Sequence, residues 1–367
     1  MKQDRTITQK LKSTISGNIV PVVCIIILAV LTPFSGLSAP YLVHSLLIRI
    51  GRNSLFVLAL LFPIIAGMGF NFGIIAGALA GQIALIFIAD LGIIGIPGIL
   101  LAMIIGTPIA VAFGMICGYF MNRFKGYEMI VSFIFAYFFI SYIYQFLIHC
   151  MGYIITSPDF ASLGLRMTVN LNWIRSALDE LIPVRIGSFS VPVATYLIIA
   201  AFCIFIVWLR RSRLGQDMQA VGQDMEVAES AGISVNRVRV IAIAISMVIA
   251  CCGQMVYLQS YGTVNVYGSL SPYADTFAIA ALLVGGGSVS RAGIGNALVG
   301  VILFYLLYTV APAAGREQFG NTGIVGYFDS FITLSIILFS FVMHTRKRNK
   351  RLDANMLPLP GKTHRKS

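Results

Sequence analysis

Residues 96–118 read IPGILLAMIIGTPIAVAFGMICG and contain no charged side chain. A helix of about 20 apolar residues spans the hydrocarbon core of a bilayer, so this stretch predicts a transmembrane helix. Similar runs recur along the 367-residue chain, which is 58% hydrophobic and 11% charged, with a mean hydropathy of +0.87. Soluble domains carry about 25% charged residues, and a transmembrane β-barrel shows short alternating segments instead. The expected fold class is therefore an all-α polytopic membrane protein.

The apolar runs predict about ten transmembrane helices in one domain, residues 18–344, between a basic N-terminal tail (1–17) and a basic C-terminal tail (345–367). A cytoplasmic segment at 210–239 and an outward loop at 152–190, with a short surface helix over 170–180, interrupt the domain. The expected spans are Asn18 to Gly36, Ser54 to Gly69, Gly73 to Leu91, Ile96 to Gly118, Met129 to Met151, Val191 to Leu209, Val240 to Tyr261, Leu270 to Val284, Ala292 to Ala311 and Phe328 to His344.

The positive charge predicts the orientation, because Lys and Arg concentrate in cytoplasmic loops. With the N-terminal tail inside, twenty of the 26 basic residues lie on the cytoplasmic side. We therefore expect both termini to be cytoplasmic. A nucleic-acid partner is not expected, because the charge is dispersed among loops rather than gathered on one face. The six outward basic residues are Arg49, Arg52, Arg166, Arg175, Arg185 and Arg316.

The sequence contains no recognisable catalytic constellation. The four histidines lie at span edges or in a tail, the six cysteines include no C-x-x-C pair, and residues 285–288 (GGGS) are not followed by the lysine of a P-loop. We expect a solute pathway that is not an enzyme and has no metal or cofactor of its own. An ion-coupled secondary carrier is the main alternative, although such carriers usually need ionisable residues within their spans. A membrane-embedded enzyme is a second alternative.

The most informative polar stretch, residues 220–233, reads AVGQDMEVAESAGI. Asp224 is a favourable N-cap, Glu226 lies in the first turn, and Gly232 suits a left-handed C-cap. Small side chains form the expected apolar face: Val227, Ala228 and Ala231. A short capped helix of this kind suits a groove on a partner protein, and a solvated connector is the alternative.

This stretch resembles the A-V-G-x-N-x-x-A-A-x-x-A-G-I segment of bacterial ABC importer permeases, in the superfamily that serves monosaccharides, nucleosides and branched-chain amino acids. The resemblance extends over about Leu58 to Phe341. In that family the segment is the coupling helix, which sits in a cleft of the ATPase subunit. The residues that the resemblance places in the ATPase contact are Gly222, Asp224, Glu226, Ala228, Ala231 and Gly232.

The resemblance also implies partners and a location in the bacterial inner membrane. In this family two permease subunits, identical or paralogous, enclose the pathway. A solute-binding protein delivers the solute, and separate cytoplasmic ATPase subunits hold ATP and Mg. The resemblance implies that a binding protein with acidic lobes docks on the outward side. Arginine recognises carboxylates by bidentate pairing, so Arg175, Arg185 and Arg316 are the candidate contacts.

Further segments are similar to the same family. Residues 279–300 (IAALLVGGGSVSRAGIGNALVG) resemble its I-A-A-x-x-x-G-G-x-S-x-x-G-x-x-G segment, and Gly293, Ala297 and Gly300 form a stripe expected to serve helix packing. Residues 127–132 (YEMIVS) resemble the N-E-V-I-x-T segment of its nucleoside branch.

Residues 67–73 (GMGFNFG) are similar to the family's solute-proximal motif, and FNFG is closer to the nucleoside permeases' F-N-I-G than to the sugar permeases' G-I-D-L-S-V-G. A broken helix that exposes backbone to a solute and a tight turn between spans are both compatible with these glycines. The candidate pathway residues are Phe70, Asn71, Phe72, Tyr267, Tyr273, Asp275 and Phe277. The expected solute is a ribose- or galactose-like monosaccharide or a nucleoside.

Overall fold

The computed structural model describes residues 19–139, 142, 168–171, 174, 177–181, 183–186, 189–265, 274–320, 327, 331, 334, 335, 338, 339 and 342. Most of these residues are helical. The helices are α1 (Ile19–Leu31), α2 (Ala39–Ala59), α3 (Leu61–Ile65), α4 (Ile74–Asp90), α5 (Gly95–Arg123), α6 (Glu128–Phe138), α7 (Val193–Arg211), α8 (Arg213–Gln223), α9 (Met225–Ser230), α10 (Val235–Tyr261), α11 (Ala274–Val284) and α12 (Ile294–Phe319). The strands are β1 (Thr168–Asn170), β2 (Pro183–Ile186), β3 (Phe189–Pro192) and β4 (Thr263–Asn265).

Within the described part of the chain, five helical segments are long and apolar enough to cross a membrane. They are Ala39–Ile65, Gly95–Arg123, Val193–Arg211, Val235–Tyr261 and Ile294–Gln318. Four shorter apolar helices accompany them: Val20–Ser35, Ile74–Ile88, Glu128–Phe138 and Ala274–Val284. The chain is thus a multi-pass helical membrane protein. The count of ten spans and the cytoplasmic termini stay predictions, because both tails and parts of the fifth and tenth spans lie outside the described residues.

The second membrane helix begins earlier than the sequence predicts. α2 begins at Ala39 rather than at Ser54, so Arg49 and Arg52 are helical residues and not loop residues. The guanidinium carbon of Arg52 lies 4.8 Å from the ring centre of Tyr261, at the end of α10. Aromatic faces attract guanidinium groups. This contact allows the charged Arg52 to lie within a helix, although the hydropathy pattern predicts a loop at that position.

The expected surface helix over residues 170–180 is wrong for the residues that the structure describes. Asn170 ends β1, which pairs antiparallel with β4 and lies opposite Thr263. Turns follow, in which the Ile174 N–H donates to the Leu171 carbonyl at 2.9 Å. Leu171 and Ile174 are both fully buried. These two apolar side chains therefore pack into the protein core and do not lie on the bilayer surface.

The centre of the bundle is α10, which packs against α2, α4 and α5. Glycines allow these backbones to approach: a Cβ atom on Gly81 of α4 would lie 2.6 Å from the Cys251 carbonyl oxygen, and one on Gly114 of α5 would lie 2.6 Å from the Ala244 Cα. Helices in lipid associate through close packing of small residues. The core of this chain is built on such contacts.

The expected packing role of the small-residue stripe in α12 is confirmed for Ala297 and Gly300. Ala297 is buried, and a Cβ atom on Gly300 would collide with the Ala281 carbonyl oxygen of α11. The side-chain amide of Asn296 also donates to the Gly285 carbonyl oxygen at 2.8 Å. These contacts close the turn between α11 and α12.

Four connections meet at one end of the bundle, which we name the coupling end: residues 66–73, 124–127, 212–234 and 285–293. Gly69 lies against Met129 and Val289, and a Cβ atom on Gly67 would lie 2.9 Å from the Gly222 Cα. The Asn122 amide donates to the Asn236 carbonyl oxygen at 2.8 Å. Three of these connections carry a basic residue that the sequence assigns to the cytoplasmic side: Lys125, Arg213 and Arg291.

Replacing Gly81 by Ala tests the close approach of α4 and α10. The new methyl group would overpack the contact with Cys251, so we expect the free energy of unfolding to fall by about 1–3 kcal/mol. Thermal unfolding of the purified protein in detergent measures this change. Gly295→Ala is the matched control, because Gly295 lies on an exposed turn of α12 with nothing near its Cβ position. Equal stability of the two variants would contradict the packing described here.

Candidate functional site

A helical hairpin at the coupling end presents the segment that the sequence singles out. α7 ends at Arg211, and the Ser212 side chain accepts a hydrogen bond from the Gly215 N–H at 3.4 Å, which caps α8. α8 then packs against α3, α7 and α10. Because α8 is held on three sides, the short helix that follows it has a fixed starting point.

The capping predicted for this short helix, α9, is confirmed. Asp224 Oδ1 accepts hydrogen bonds from the N–H groups of Glu226 at 2.9 Å and Val227 at 3.1 Å. At the other end Gly232 has φ +81, its N–H donates to the Glu229 carbonyl, and the Ile233 N–H donates to the Ala228 carbonyl. This pair of bonds is the Schellman motif, which favours glycine. The helix is short but closed at both ends.

The residues predicted to contact an ATPase fall into two groups. Asp224, Glu226, Ala231 and Gly232 are exposed, whereas Ala228 is 3% exposed and belongs to the core of this chain. The predicted apolar face is therefore divided. Val227, which is 65% exposed, points away from the bundle together with Ala231, while Ala228 packs inward.

The sixth predicted contact residue, Gly222, is exposed, but one side of its backbone packs against the membrane helices of its own chain. A Cβ atom at this position would collide with the Ile65 carbonyl oxygen at the end of α3 and would lie 3.1 Å from the Gly67 nitrogen. Gly67 has φ +76, in the left-handed region that favours glycine. Two glycines thus bring α8 into backbone contact with the 67–73 segment.

Sequence reasoning missed the ion pair that lies beside α9. Arg239 of α10 is fully buried and forms a salt bridge with Glu128, which begins α6 and is 8% exposed. It is the one ion pair among the described residues. Arg239 also lies 3.6 Å from the Met225 sulfur of α9. The hydropathy pattern assigns Arg239 to a cytoplasmic loop. The apolar residues on either side of it, Val238 and Val240, are the sequence signal that indicates its burial in a helix.

The 67–73 segment turns between α3 and α4 at the coupling end. Asn71 is fully buried, and its Oδ1 accepts a hydrogen bond from the Gly73 N–H at 2.9 Å, while its Nδ2 is buried without a partner among the described residues. Phe70 is buried, and the Phe72 N–H donates to the Ser132 hydroxyl at 3.2 Å. The geometry is a turn that keeps one buried amide donor free.

The other predicted pathway residues lie at a second level of the bundle. Asp275 is buried in the first turn of α11 and accepts hydrogen bonds from Thr276, while Phe277 packs against Phe304 and Tyr308. At 1.5 Å per helical residue, Asp275 is roughly 15 Å from the coupling end. The structure therefore does not gather these residues with Asn71. Tyr267 and Tyr273 lie outside the described residues.

The outward arginines are only partly described. Arg316 is exposed in the last turn of α12, away from the coupling end. The backbone of Arg185 lies in β2 opposite Ser190, and nothing is described of its side chain. Arg175 lies outside the described residues. Contact of these arginines with a binding protein stays a prediction.

A groove of about 460 Å³ lies between α5, α7 and α10. Its lining is wholly apolar, with Met115, Phe202 and Phe205 among the side chains that form it. Solute sites orient their ligands with precisely placed polar groups, and this groove has none. It suits hydrocarbon chains and is not a candidate site for a polar solute.

Sequence comparisons find related proteins over most of this chain. The family described as "Branched-chain amino acid transport system / permease component" matches residues 42–342. The nucleoside ABC transporter permease protein NupB of Lactococcus lactis subsp. cremoris is 27% identical over 299 residues, which cover 78% of this chain and 75% of that protein. The galactose/methyl galactoside import permease protein MglC of Haemophilus influenzae is 31% identical over 170 residues, 46% of this chain and 47% of that protein.

A third relative is the high-affinity branched-chain amino acid transport system permease protein LivH of Salmonella typhimurium, which is 33% identical over 109 residues, 30% of this chain and 34% of that protein. No solved structure matches the chain.

Gly222→Ala tests the backbone contact between α8 and the 67–73 segment. Alanine normally stabilises a helix relative to glycine by about 1 kcal/mol, but here its methyl group would collide with Ile65. We therefore expect a lower midpoint of thermal unfolding in detergent. Gln223→Ala, at the exposed neighbouring position, is the matched control and leaves the midpoint unchanged. A stabilised Gly222→Ala protein would refute the contact.

Proposed function

Because the chain belongs to the permease family of ABC importers that serves monosaccharides, nucleosides and branched-chain amino acids, we propose that it forms the transmembrane pathway of an ATP-driven importer. The subunit performs no bond chemistry. It resides in a bacterial inner membrane with a second permease subunit, identical or paralogous, and receives solute from a solute-binding protein. ATP and Mg are held by separate ATPase subunits.

The observation that carries this proposal is the exposed, doubly capped helix α9 at the coupling end. A six-residue helix is normally marginal, because helix nucleation is costly. Asp224 and Gly232 hold α9 in shape before any partner binds, so little ordering entropy is lost on docking. Its exposed side chains, Glu226, Val227, Glu229 and Ala231, then form the surface that enters the ATPase cleft.

The proposed mechanism uses the rigid connection between α8 and the membrane helices. When ATP closes the ATPase pair, α9 moves with it, and α8 moves because Asp224 both ends α8 and caps α9. The tight contact of Gly222 with Ile65 and Gly67 passes this displacement to the turn before α4. Packed elements shift as units rather than deforming continuously, so access to the pathway switches between two states.

The proposed solute is a nucleoside or a ribose- or galactose-like monosaccharide. Asn71 supports a polar solute, because its buried Nδ2 lacks an acceptor among the described residues and an unpaired buried donor is costly. A sugar hydroxyl or a base carbonyl would supply that acceptor when the pathway opens. Phe70 and Phe72 flank this amide in the sequence, and aromatic faces stack on sugar and base rings.

Affinity purification of the tagged chain from its native membranes in mild detergent tests the proposed ATPase partner. The intact chain is expected to retain a cytoplasmic ATPase, and Val227→Asp is expected to lose it, because the change replaces the large exposed apolar side chain of α9 by a further negative charge beside Glu226 and Glu229. Arg237→Gln, an exposed change on the neighbouring helix α10, is the matched control and keeps the ATPase. A chain that purifies without any ATPase in all three forms would refute the proposal and favour an ion-coupled carrier.

Uptake of radiolabelled uridine, ribose and galactose tests the solute class. Cells that lack the gene are expected to lose uptake of one of these compounds and to regain it with the intact chain. Asn71→Asp keeps the oxygen that caps Gly73 but removes the free amide donor, so it is expected to lower this uptake while the ATPase still co-purifies. Undiminished uptake in the Asn71→Asp cells would exclude Asn71 from the solute pathway.

A further inference from the structure

The Arg239–Glu128 salt bridge is an unusual feature in a chain of this composition. Both partners are buried, and no second ion pair occurs among the described residues. Removing two charges from water costs about as much free energy as their attraction returns, so such a pair is weak evidence of stabilisation. Its position between three separate elements points to another role.

The pair joins elements that do not pack on each other as helices. α9 packs principally on α8 and α10, whereas α6 packs principally on α4 and α5. The long side chain of Arg239 crosses this gap: one terminal nitrogen lies 3.6 Å from Met225 of α9, and the other bonds to Glu128 Oε1 of α6. The guanidinium group of Arg239 therefore contacts both α9 and α6.

The contacts continue from α6 to the segment predicted to meet the solute. Ser132, one turn beyond Glu128, accepts the hydrogen bond from the Phe72 N–H at 3.2 Å. Met129, next to Glu128, lies 3.4 Å from the position of a Cβ atom on Gly69. The start of α6 thus contacts the 67–73 segment at Gly69 and Phe72, whereas Gly222 contacts it at Gly67.

The guanidinium group of Arg239 also has a free donor. Its Nε is buried and has no hydrogen-bond partner among the described residues, whereas its two terminal nitrogens contact Met225 and Glu128. Arginine can pair with carboxylates through two parallel bonds. The free Nε donor leaves room for a second hydrogen bond to a carboxylate if the group moves.

We propose that Arg239 and Glu128 are positioning residues that transmit the movement of the coupling helix α9 to α6 and to residues 67–73. This inference rests on the proposed function, because it needs an ATPase that moves α9. Neither residue touches solute or nucleotide. A purely structural role is the alternative, since Glu128 Oε2 also accepts the Gly126 N–H at 2.9 Å and so helps to form the turn before α6.

The test is hydrogen–deuterium exchange of the permease–ATPase complex in nanodiscs, with and without the ATP analogue AMP-PNP. The double variant Glu128→Gln/Arg239→Met removes both charges and keeps similar volumes, and exchanges of this kind usually preserve folding. In the wild-type complex, AMP-PNP is expected to change exchange both in residues 224–232 and in residues 124–132. In the double variant, the change at 224–232 persists and the change at 124–132 is lost.

Arg237→Gln is the matched control, because Arg237 is an exposed cation two residues before Arg239, and both responses are expected to persist in it. A response at 124–132 that survives in the double variant overturns the inference and leaves the proposed function standing. A wild-type complex in which only residues 224–232 respond overturns it as well. Failure of any ATPase to co-purify with the wild-type chain refutes the proposed function itself, and the inference with it.

Discussion

The close approach of α10 to its neighbours is the contact on which the rest of the structure depends. Lipid chains are as apolar as leucine side chains, so helices in a bilayer gain little from hydrophobic burial against each other. Gly81 and Gly114 compensate by letting the backbones of α4 and α5 lie directly against α10. An added methyl group at either glycine meets main-chain atoms of α10, which limits how far the helices can slide.

The glycine contacts of α10 also set the position of the coupling end. α10 begins at the coupling end with Val235, immediately after the α9 segment, and its first turns carry the buried Arg239. Because α10 is held by its glycine contacts further along, its first turns place the Arg239 side chain between α9 and α6. The 67–73 turn is then held by Gly222 of α8 and by Met129 and Ser132 of α6.

The structure also separates two polar features that the sequence places in one pathway. Asn71 lies at the coupling end, whereas Asp275 begins α11 at a deeper level and is hydrogen-bonded to its neighbour Thr276. A solute that crosses the bundle would contact Asn71 and Asp275 one after the other and not at the same time. This arrangement suits a pathway that is opened from one end, and it places Asn71 beside the elements that an ATPase would move.

The sequence by itself determined the membrane class, most of the helices and the capped segment at Asp224 to Gly232. These follow from local rules: apolar length sets a span, and capping depends on a few adjacent residues. It failed where charge breaks an apolar pattern, since Arg49 and Arg52 are accommodated in α2 by aromatic rings from distant helices. Only the tertiary structure decided that Gly222 packs on Gly67, that Ala228 faces inward, and that Arg239 pairs with Glu128. These contacts depend on residues far apart in the chain, and no local pattern encodes which distant backbone atom or carboxylate lies beside each residue.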